Sequence, residues 1–119
     1  MSLLKHFQRS LRTLSNSKFL AMLGLAKRSG SATIGTDLVT KSLPRGKIKL
    51  VVYANNSSDN TEKKITDKCK YYGVNCIKAP FSSEELAHAV GSQATVCVIG
   101  IANESFSKEL TSLISKEMR

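Results

Sequence analysis

The residues that could hold a charged ligand lie between Gly35 and Arg45 of this 119-residue chain. Gly35 precedes a short helical pattern that carries Lys41, and Arg45 follows shortly afterwards. A glycine ahead of a helix leaves backbone N–H groups free, and such groups suit phosphate and carbonyl oxygens. A lysine near a helix start can reach guanine O6 and N7. The segment therefore indicates binding of an electronegative partner.

The positive charge of the chain lies in the same half of the sequence. The first 50 residues contain ten Lys/Arg and one acid, Asp37, whereas the other 69 contain eight of each, so this half accounts for the net charge of +9. Such a distribution favours a polyanion as partner. Two alternatives stay open: a solvated basic face, and a helical ion pair between Lys41 and Asp37, four residues earlier, which would contribute a few tenths of a kcal/mol.

The side chains that enzymes and metal sites use most often form no recognisable motif. The two histidines are His6 and His88, and the three cysteines show no CxxC pairing. We therefore expect no catalytic residue, metal, cofactor or small-molecule substrate, and three reduced thiols in a cytosolic protein. The spaced glycines of 30–35 match neither a GxGxxG fingerprint nor a Walker loop.

Apolar periodicity and turn signals predict the elements that position the basic segment. A first helix has Phe19, Met22, Leu23 and Ala26 on one face, and further helices are predicted over 36–43, from Asp59 to Gly73, from Ser82 to Gly91 and after Asn103. Strands are predicted over 32–34, 48–54, 74–79 and 95–101. Helices that alternate with short buried strands imply an α/β layer fold with helices on both sides of the sheet.

Local signals set the ends of these helices. Pro44 should end or kink the second helix, with Gly46 completing the turn. Asp59 to Glu62 and Ser82 to Glu85 resemble capping boxes, and Asn103 should cap the last helix. Ile65, Cys69 and Tyr72 are predicted to line the inner face of the third helix.

One domain is predicted over 17–119, preceded by a basic, acid-free arm over 1–16. We expect a helical or frayed arm; a transit peptide is the alternative, and a vector origin for Met1-Ser2-Leu3 stays open. No apolar run approaches the ~20 residues that span a bilayer.

Several segments in this order resemble the kink-turn RNA-binding family of archaeal and eukaryotic large-subunit ribosomal proteins, and most closely its small bacterial YlxQ-type members. The resemblance covers about residues 18–108. Its markers are Phe19-Leu20-Ala21-Met22-Leu23-Gly24-Leu25-Ala26-Lys27-Arg28-Ser29-Gly30, the Gly35-to-Lys41 segment, Lys49-Leu50-Val51-Val52-Tyr53-Ala54-Asn55-Asn56, Thr66-Asp67-Lys68-Cys69-Lys70-Tyr71-Tyr72 and Glu85-Leu86-Ala87-His88-Ala89-Val90-Gly91.

The resemblance implies a three-layer α-β-α sandwich with a four-stranded mixed sheet, which binds RNA at a sharp bend beside tandem sheared G·A pairs. By the same resemblance, Gly35 and Thr36 supply backbone groups and Lys41 addresses a guanine. The loop of Ser92, Gln93, Ala94 and Thr95 would meet the extruded nucleotide, with Leu86 and Ala87 as its support. Asn55 and Asn56 are expected close to the same surface, and Arg45 completes the predicted site.

Two positions depart from the family pattern. Where archaeal members have Asn and Glu for the sheared pairs, this chain has Asp37 and Leu38. A carboxylate cannot donate to guanine O6 and repels phosphate, and leucine makes no hydrogen bond. Each lost base contact costs about 1–3 kcal/mol. Alternatively, Asp37 caps the helix and Leu38 is packed.

These observations lead to one principal hypothesis and two alternatives. The principal hypothesis is a non-catalytic, cytoplasmic, monomeric protein that binds kink-turn-like RNA of the ribosome or associated with it. The first alternative is a protein-interaction adaptor that uses Asp37 and Leu38. The second is an RNA-recognition module that acts with a separate RNA-modifying enzyme.

Overall fold

A computed structural model describes residues 16–117, which form one mixed sheet and the helices around it. The strands are β1 (Ala32–Ile34), β2 (Leu50–Tyr53), β3 (Asn75–Lys78) and β4 (Val98–Ile101). The helices are α1 (16–28), α2 (Thr36–Ser42), α3 (Asp59–Tyr72), α4 (Ser83–Ala89) and α5 (Glu104–Glu117), and a 3-10 turn (Leu43–Arg45) follows α2.

The sheet has the order β1-β4-β2-β3. β4 is antiparallel to both of its neighbours, whereas β2 and β3 are parallel. The carboxyl ends of β1, β2 and β3 therefore lie at the same edge of the sheet as the amino end of β4. We call this edge the loop edge, because three loop segments join the strands there. Segments 35–38 and 54–58 follow β1 and β2, and segment 91–97 precedes β4.

Side chains of the sheet alternate between two cores. Leu50 and Val52 of β2 pack in the core that α1, α4 and α5 cover, and Val51 and Tyr53 pack in the core that α2 and α3 cover. Because both faces of β2 are covered, all four of its residues are buried. The three-layer α-β-α sandwich with a four-stranded mixed sheet is confirmed.

The predicted end of the second helix is confirmed. α2 stops at Ser42, and Pro44 occupies the following 3-10 turn, where its missing N–H leaves no helical bond unmade. Gly46 ends the turn in the left-handed conformation, with φ of 74°. β1 has the predicted bounds, whereas the other three strands are shorter than predicted; β2 and β4 each lack three of the predicted residues, and β4 begins at Val98 instead of residue 95.

Two details of α3 differ from the prediction. Ser58, not Asp59, is the N-cap, and its Oγ accepts a hydrogen bond from the Thr61 N–H at 3.2 Å. Tyr72 is 37% exposed, so Ile65 and Cys69 form the buried face without it.

The other two predicted caps are confirmed. The Ser82 capping box is present, and its Glu85 carboxylate accepts from the Ser82 N–H at 3.0 Å. Asn103 Oδ1 accepts from the Phe106 N–H at 3.1 Å.

The predicted arm (1–16) lies outside the described residues except for Asn16, which is helical. None of the described helices is both long and apolar enough to cross a membrane. All three cysteines are free thiols; Cys69 is buried, and Cys76 and Cys97 are half-buried. Among residues 16–117, no group of His, Cys, Asp and Glu side chains has the arrangement of a metal site.

Candidate nucleic-acid interface

Gly35 joins the first segment of the loop edge to the sheet. Its N–H donates to the Val98 carbonyl at 2.9 Å, and its own carbonyl accepts from the Val39 N–H at 3.0 Å. The backbone angles are φ 105° and ψ 147°, a combination that is nearly restricted to glycine. A Cβ atom at Gly35 would have open space around it, so the glycine is needed for its backbone conformation.

The start of α2 presents unoccupied backbone donors. No side chain caps this helix, and its first intrahelical bond is made by the Val39 N–H. The N–H groups of Thr36, Asp37 and Leu38 consequently have no acceptor within the described chain. Such groups can donate to phosphate, ribose or base oxygens.

Asp37 does not pair with Lys41. Its Oδ1 lies 4.0 Å from Lys64 Nζ on α3, and both side chains are largely exposed. Asp37 is also not a cap, since the N-cap position belongs to Gly35. Leu38 is 58% exposed, so the alternative of a packed leucine is wrong as well. The helix therefore presents an acid and an apolar side chain to solvent beside its free N–H groups.

Lys41 is exposed on α2, one turn beyond Asp37 and on the same face of the helix. Its ammonium group has no hydrogen-bond or ion-pair partner in residues 16–117. Arg45 is also exposed, but the structure places it in the 3-10 turn at the far end of α2, roughly 15 Å from Gly35 by helical rise. Arg45 is thus not brought to the loop edge.

The second segment of the loop edge follows β2. The Asn55 N–H donates to the Phe81 carbonyl at 2.8 Å. The Oδ1 atom of Asn56 accepts from the Ser83 N–H at 2.8 Å, which ties this segment to the first turn of α4. The Asn55 side chain and the Asn56 amide nitrogen stay available as donors.

The third segment follows α4 and begins at Gly91, whose φ is 71°. The Ser92 N–H donates to the Ala87 carbonyl at 2.9 Å, and Ser92 Oγ donates to the Ala94 carbonyl at 2.9 Å. These bonds fix a compact turn on which the side chains of Gln93, Ala94 and Thr95 are exposed.

Leu86 and Ala87 are buried below this turn, at 0% and 6% exposure. Their side chains cannot reach a ligand on the surface, but Leu86 packs in the core and the Ala87 carbonyl holds Ser92. Their position is compatible with the supporting role that the resemblance implies.

Sequence reasoning missed Ser83 and Gly24. Ser83 is buried, and its carbonyl accepts from the Val96 N–H at 3.1 Å while its N–H binds Asn56, so it links the second and third segments. No sequence spacing indicates this link. A Cβ on Gly24 would lie 2.9 Å from the Ala89 carbonyl oxygen, so α1 approaches α4 closely. The glycine inside a predicted helix was the sequence signal that could have indicated this close approach.

Tyr53, the last residue of β2, connects the sheet to α3 next to the loop edge. Its O–H donates to Glu62 Oε1 at 3.0 Å, and Lys78 Nζ lies 3.8 Å from the same oxygen. Burial and the hydrogen bond to Glu62 raise the pKa of Tyr53 to about 12. The phenol therefore stays protonated at neutral pH and connects the end of β2 to the first turn of α3.

Comparisons with known proteins found a matching family and similar chains. Residues 17–111 match the model of the ribosomal protein L7Ae/L30e/S12e/Gadd45 family. The chain is 35% identical over 105 residues to the RNA-binding protein YlxQ of Bacillus subtilis (strain 168), covering 85% of this chain and 99% of that protein. It is also 35% identical over 100 residues to YlxQ of Enterococcus faecium, covering 84% and 94%.

Two solved structures share the fold. A Bacillus halodurans protein of unknown function has a TM-score of 0.77 and 32% identity, covering 82% of this chain and 97% of that one. The 15.5kD RNA binding protein of Giardia lamblia has a TM-score of 0.69, covering 90% and 88%. At 19% identity, the second likeness concerns the fold alone.

Proposed function

We propose that the loop edge binds structured RNA at a kink-turn-like bend. The chain belongs to the ribosomal protein L7Ae/L30e/S12e/Gadd45 family. The observation that carries this proposal is the convergence of three segments, 35–38, 54–58 and 91–97, at one edge of the sheet. The RNA is ribosomal or ribosome-associated, and the protein acts on it as a non-catalytic cytoplasmic monomer.

Each segment has a distinct role in the proposed complex. The free N–H groups that begin α2 donate to RNA oxygens, and the unpaired Lys41 ammonium binds the O6 and N7 edge of a guanine. A bend in the RNA is needed because a regular RNA helix hides that edge in a narrow groove. The turn that carries Gln93, Ala94 and Thr95 contacts the nucleotide extruded at the bend. Asn55 and Asn56, in the second segment, donate side-chain hydrogen bonds to the RNA.

Asp37 weakens this interface and makes it different from that of the family pattern. Its carboxylate lies among the donors and repels phosphate, although Lys64 at 4.0 Å offsets part of its charge. We therefore expect binding that depends strongly on salt and on the general shape of the bend. Base-specific contacts should contribute less than in members with Asn and Glu at these positions.

One observation favours a second candidate function, a protein-interaction adaptor. Leu38 is 58% exposed beside Asp37, and burial of such an apolar side chain against a protein partner would be favourable. A protein complex that contains this chain and survives nuclease treatment would support the adaptor. An RNA-recognition role beside a separate modifying enzyme would instead require both the RNA and the enzyme in that complex.

The test is a titration of the protein with three RNAs of equal length. The first contains a bend with tandem sheared G·A pairs, the second has Watson–Crick pairs in their place, and the third is a continuous duplex. We expect the bent RNA to bind at least tenfold more tightly than either control, and the affinity to fall as salt is raised. Equal affinities for all three RNAs would contradict the proposal. Crosslinking in cells, followed by sequencing of the bound RNA, would identify the natural target.

A further inference from the structure

A second surface of the protein has the composition of a nucleic-acid site but does not belong to the loop edge. It is a groove of about 500 Å³ on α3, lined by Lys64, Asp67, Lys68, Tyr71 and Tyr72. These positions are three or four residues apart and so share one face of the helix. Ile65 and Cys69 occupy the adjacent, buried face. The groove is thus open to solvent along its length.

The two tyrosines at its end are held in a defined geometry. Tyr71 is 81% exposed, and its ring meets that of Tyr72 edge to face, with centroids 4.8 Å apart. A tyrosine this exposed contributes little to the hydrophobic core. The contact with Tyr72 orients the Tyr71 ring, and an oriented, accessible ring can stack on a nucleobase with little further ordering.

A neighbouring groove extends this surface towards the opposite edge of the sheet. Its volume is about 420 Å³, and its lining includes Tyr72, Pro44, Ile48 and Lys49. The lining of the two grooves contains three lysines (Lys49, Lys64 and Lys68) and one acid, Asp67, while a second acid, Asp37 on α2, pairs with Lys64. Positive charge beside accessible aromatic and apolar surface suits a single-stranded polyanion whose bases are exposed.

At Lys64, this surface lies next to the interface described above. Lys64 Nζ lies 4.0 Å from Asp37 at the beginning of α2, and Lys41 is one turn further along the same face of α2. A strand that leaves an RNA bound at the loop edge could therefore continue past Lys41 and Lys64 to Tyr71. A duplex could not follow this path with its bases stacked on Tyr71, because its bases are already paired and stacked.

We propose that the tyrosine face of α3, formed by Lys64, Lys68, Tyr71 and Tyr72, binds a short single-stranded RNA segment that continues from the bend. This inference rests on the proposed function, because it places the segment next to RNA held at the loop edge. Lys64 and Lys68 bind phosphates, and Tyr71 stacks on one base. The protein thereby selects bent RNAs that have an unpaired extension.

The experiment compares a bent RNA that ends flush with the same RNA carrying an unpaired extension of four uridines, tested in both the 5′ and the 3′ position. We expect one of the two extensions to increase the affinity of the wild-type protein about tenfold. Tyr71→Ala should remove most of this gain, as expected for loss of one stacked base. It should leave affinity for the flush RNA unchanged. Tyr71→Phe, which keeps the ring, should retain the gain.

Lysine variants supply a matched comparison. Lys68 lines the groove, whereas Lys70 is exposed on another face of the same helix. Lys68→Ala should reduce the gain from the extension about threefold, and Lys70→Ala should not. All these side chains are on the surface, so the variants are expected to fold.

The outcomes separate this inference from the proposed function. If the flush bent RNA binds no better than a duplex, the proposed function fails. Tyr71-dependent binding of free oligouridine would then still support a single-strand site on α3. If neither extension adds affinity, or if Tyr71→Ala keeps the gain, the inference is overturned even where the bend is recognised. If this face binds a protein instead of RNA, neither extension should add affinity.

Discussion

The Nζ atom of Lys64 lies 4.0 Å from the carboxylate of Asp37, so the acid at the start of α2 is paired with α3 and not with Lys41. The consequence for the proposed interface is twofold. Part of the negative charge of Asp37 is offset by a neighbouring helix, and the Lys41 ammonium stays free for a ligand. Because both partners are largely exposed, the pair contributes at most about 1 kcal/mol to folding.

Lys41→Ala should weaken binding of the bent RNA about fivefold or more, because loss of a guanine contact costs about 1–3 kcal/mol. Lys108→Ala is the matched control. Lys108 is also an exposed helical lysine, but it pairs with Glu104 at 3.8 Å on α5, away from the loop edge. Titrations of both variants at one salt concentration check this prediction. If both match the wild type, the assignment of Lys41 to the site is wrong.

Asp37→Asn should strengthen RNA binding severalfold, because it removes a charge that repels phosphate and adds an amide donor. The gain should shrink as salt is raised, since exposed charges are screened. Unfolding in denaturant should differ from wild type by less than about 1 kcal/mol. Glu104→Gln, which breaks another exposed ion pair, should leave RNA affinity unchanged. Weaker binding by Asp37→Asn would mean that the carboxylate itself contacts the ligand.

Gly35→Ala should destabilise the protein by about 1–3 kcal/mol, because alanine is strained at φ 105° and ψ 147°. Open space surrounds the position, so steric contact does not contribute. Gly46→Ala is the comparison. Its conformation (φ 74°, ψ 9°) is the ordinary left-handed one, where a side chain costs about 1 kcal/mol. Denaturant unfolding of both variants gives the difference, and an equal or larger loss at Gly46 would refute the argument.

Asn56→Ala should destabilise the protein by about 1–2 kcal/mol, because the Ser83 N–H loses its acceptor. Amide hydrogen exchange at Ser83 should become faster. Asn56→Asp keeps an acceptor oxygen and should retain protection. Asn55→Ala is a second control, since Asn55 binds Phe81 through its backbone N–H, which the substitution preserves. Unchanged exchange at Ser83 in Asn56→Ala would show that the link is unimportant.

Stability should fall between about pH 10 and pH 12 through the titration of Tyr53, whose pKa rises from 10.0 to about 12 on folding. The folded state keeps the proton more tightly, so the stabilisation is complete below the unfolded pKa and is lost as pH rises through the folded one. Tyr53→Phe should remove this component of the alkaline loss. Denaturant unfolding measured across this range is the readout, and parallel curves for wild type and Tyr53→Phe would disprove the assignment.

Local sequence signals predicted most of the fold. The Ser82 capping box, the stop at Pro44 and the Asn103 cap involve hydrogen bonds or steric limits within four residues, so neighbouring residues suffice to specify them. The buried strand 50–53 follows from its unbroken apolar run. Local signals did not predict the N-cap of α3, where both Ser58 and Asp59 are residue types that cap helices. Glu62 bonds with Tyr53 instead of completing a box with Asp59, and Ser58 caps the helix.

The sequence alone determined the layered α/β architecture, the charge asymmetry and the glycine that begins α2, because composition and short-range periodicity encode them. Only the tertiary structure decided which surface residues meet. Asn56 binds Ser83, 27 residues away, and Asp37 pairs with Lys64 rather than with Lys41 on its own helix. The sheet brings Asn56 to Ser83 because β2 and β3, which precede them, are parallel neighbours, and helix packing places α2 beside α3. Such long-range neighbours depend on how all layers pack together, which no local spacing records.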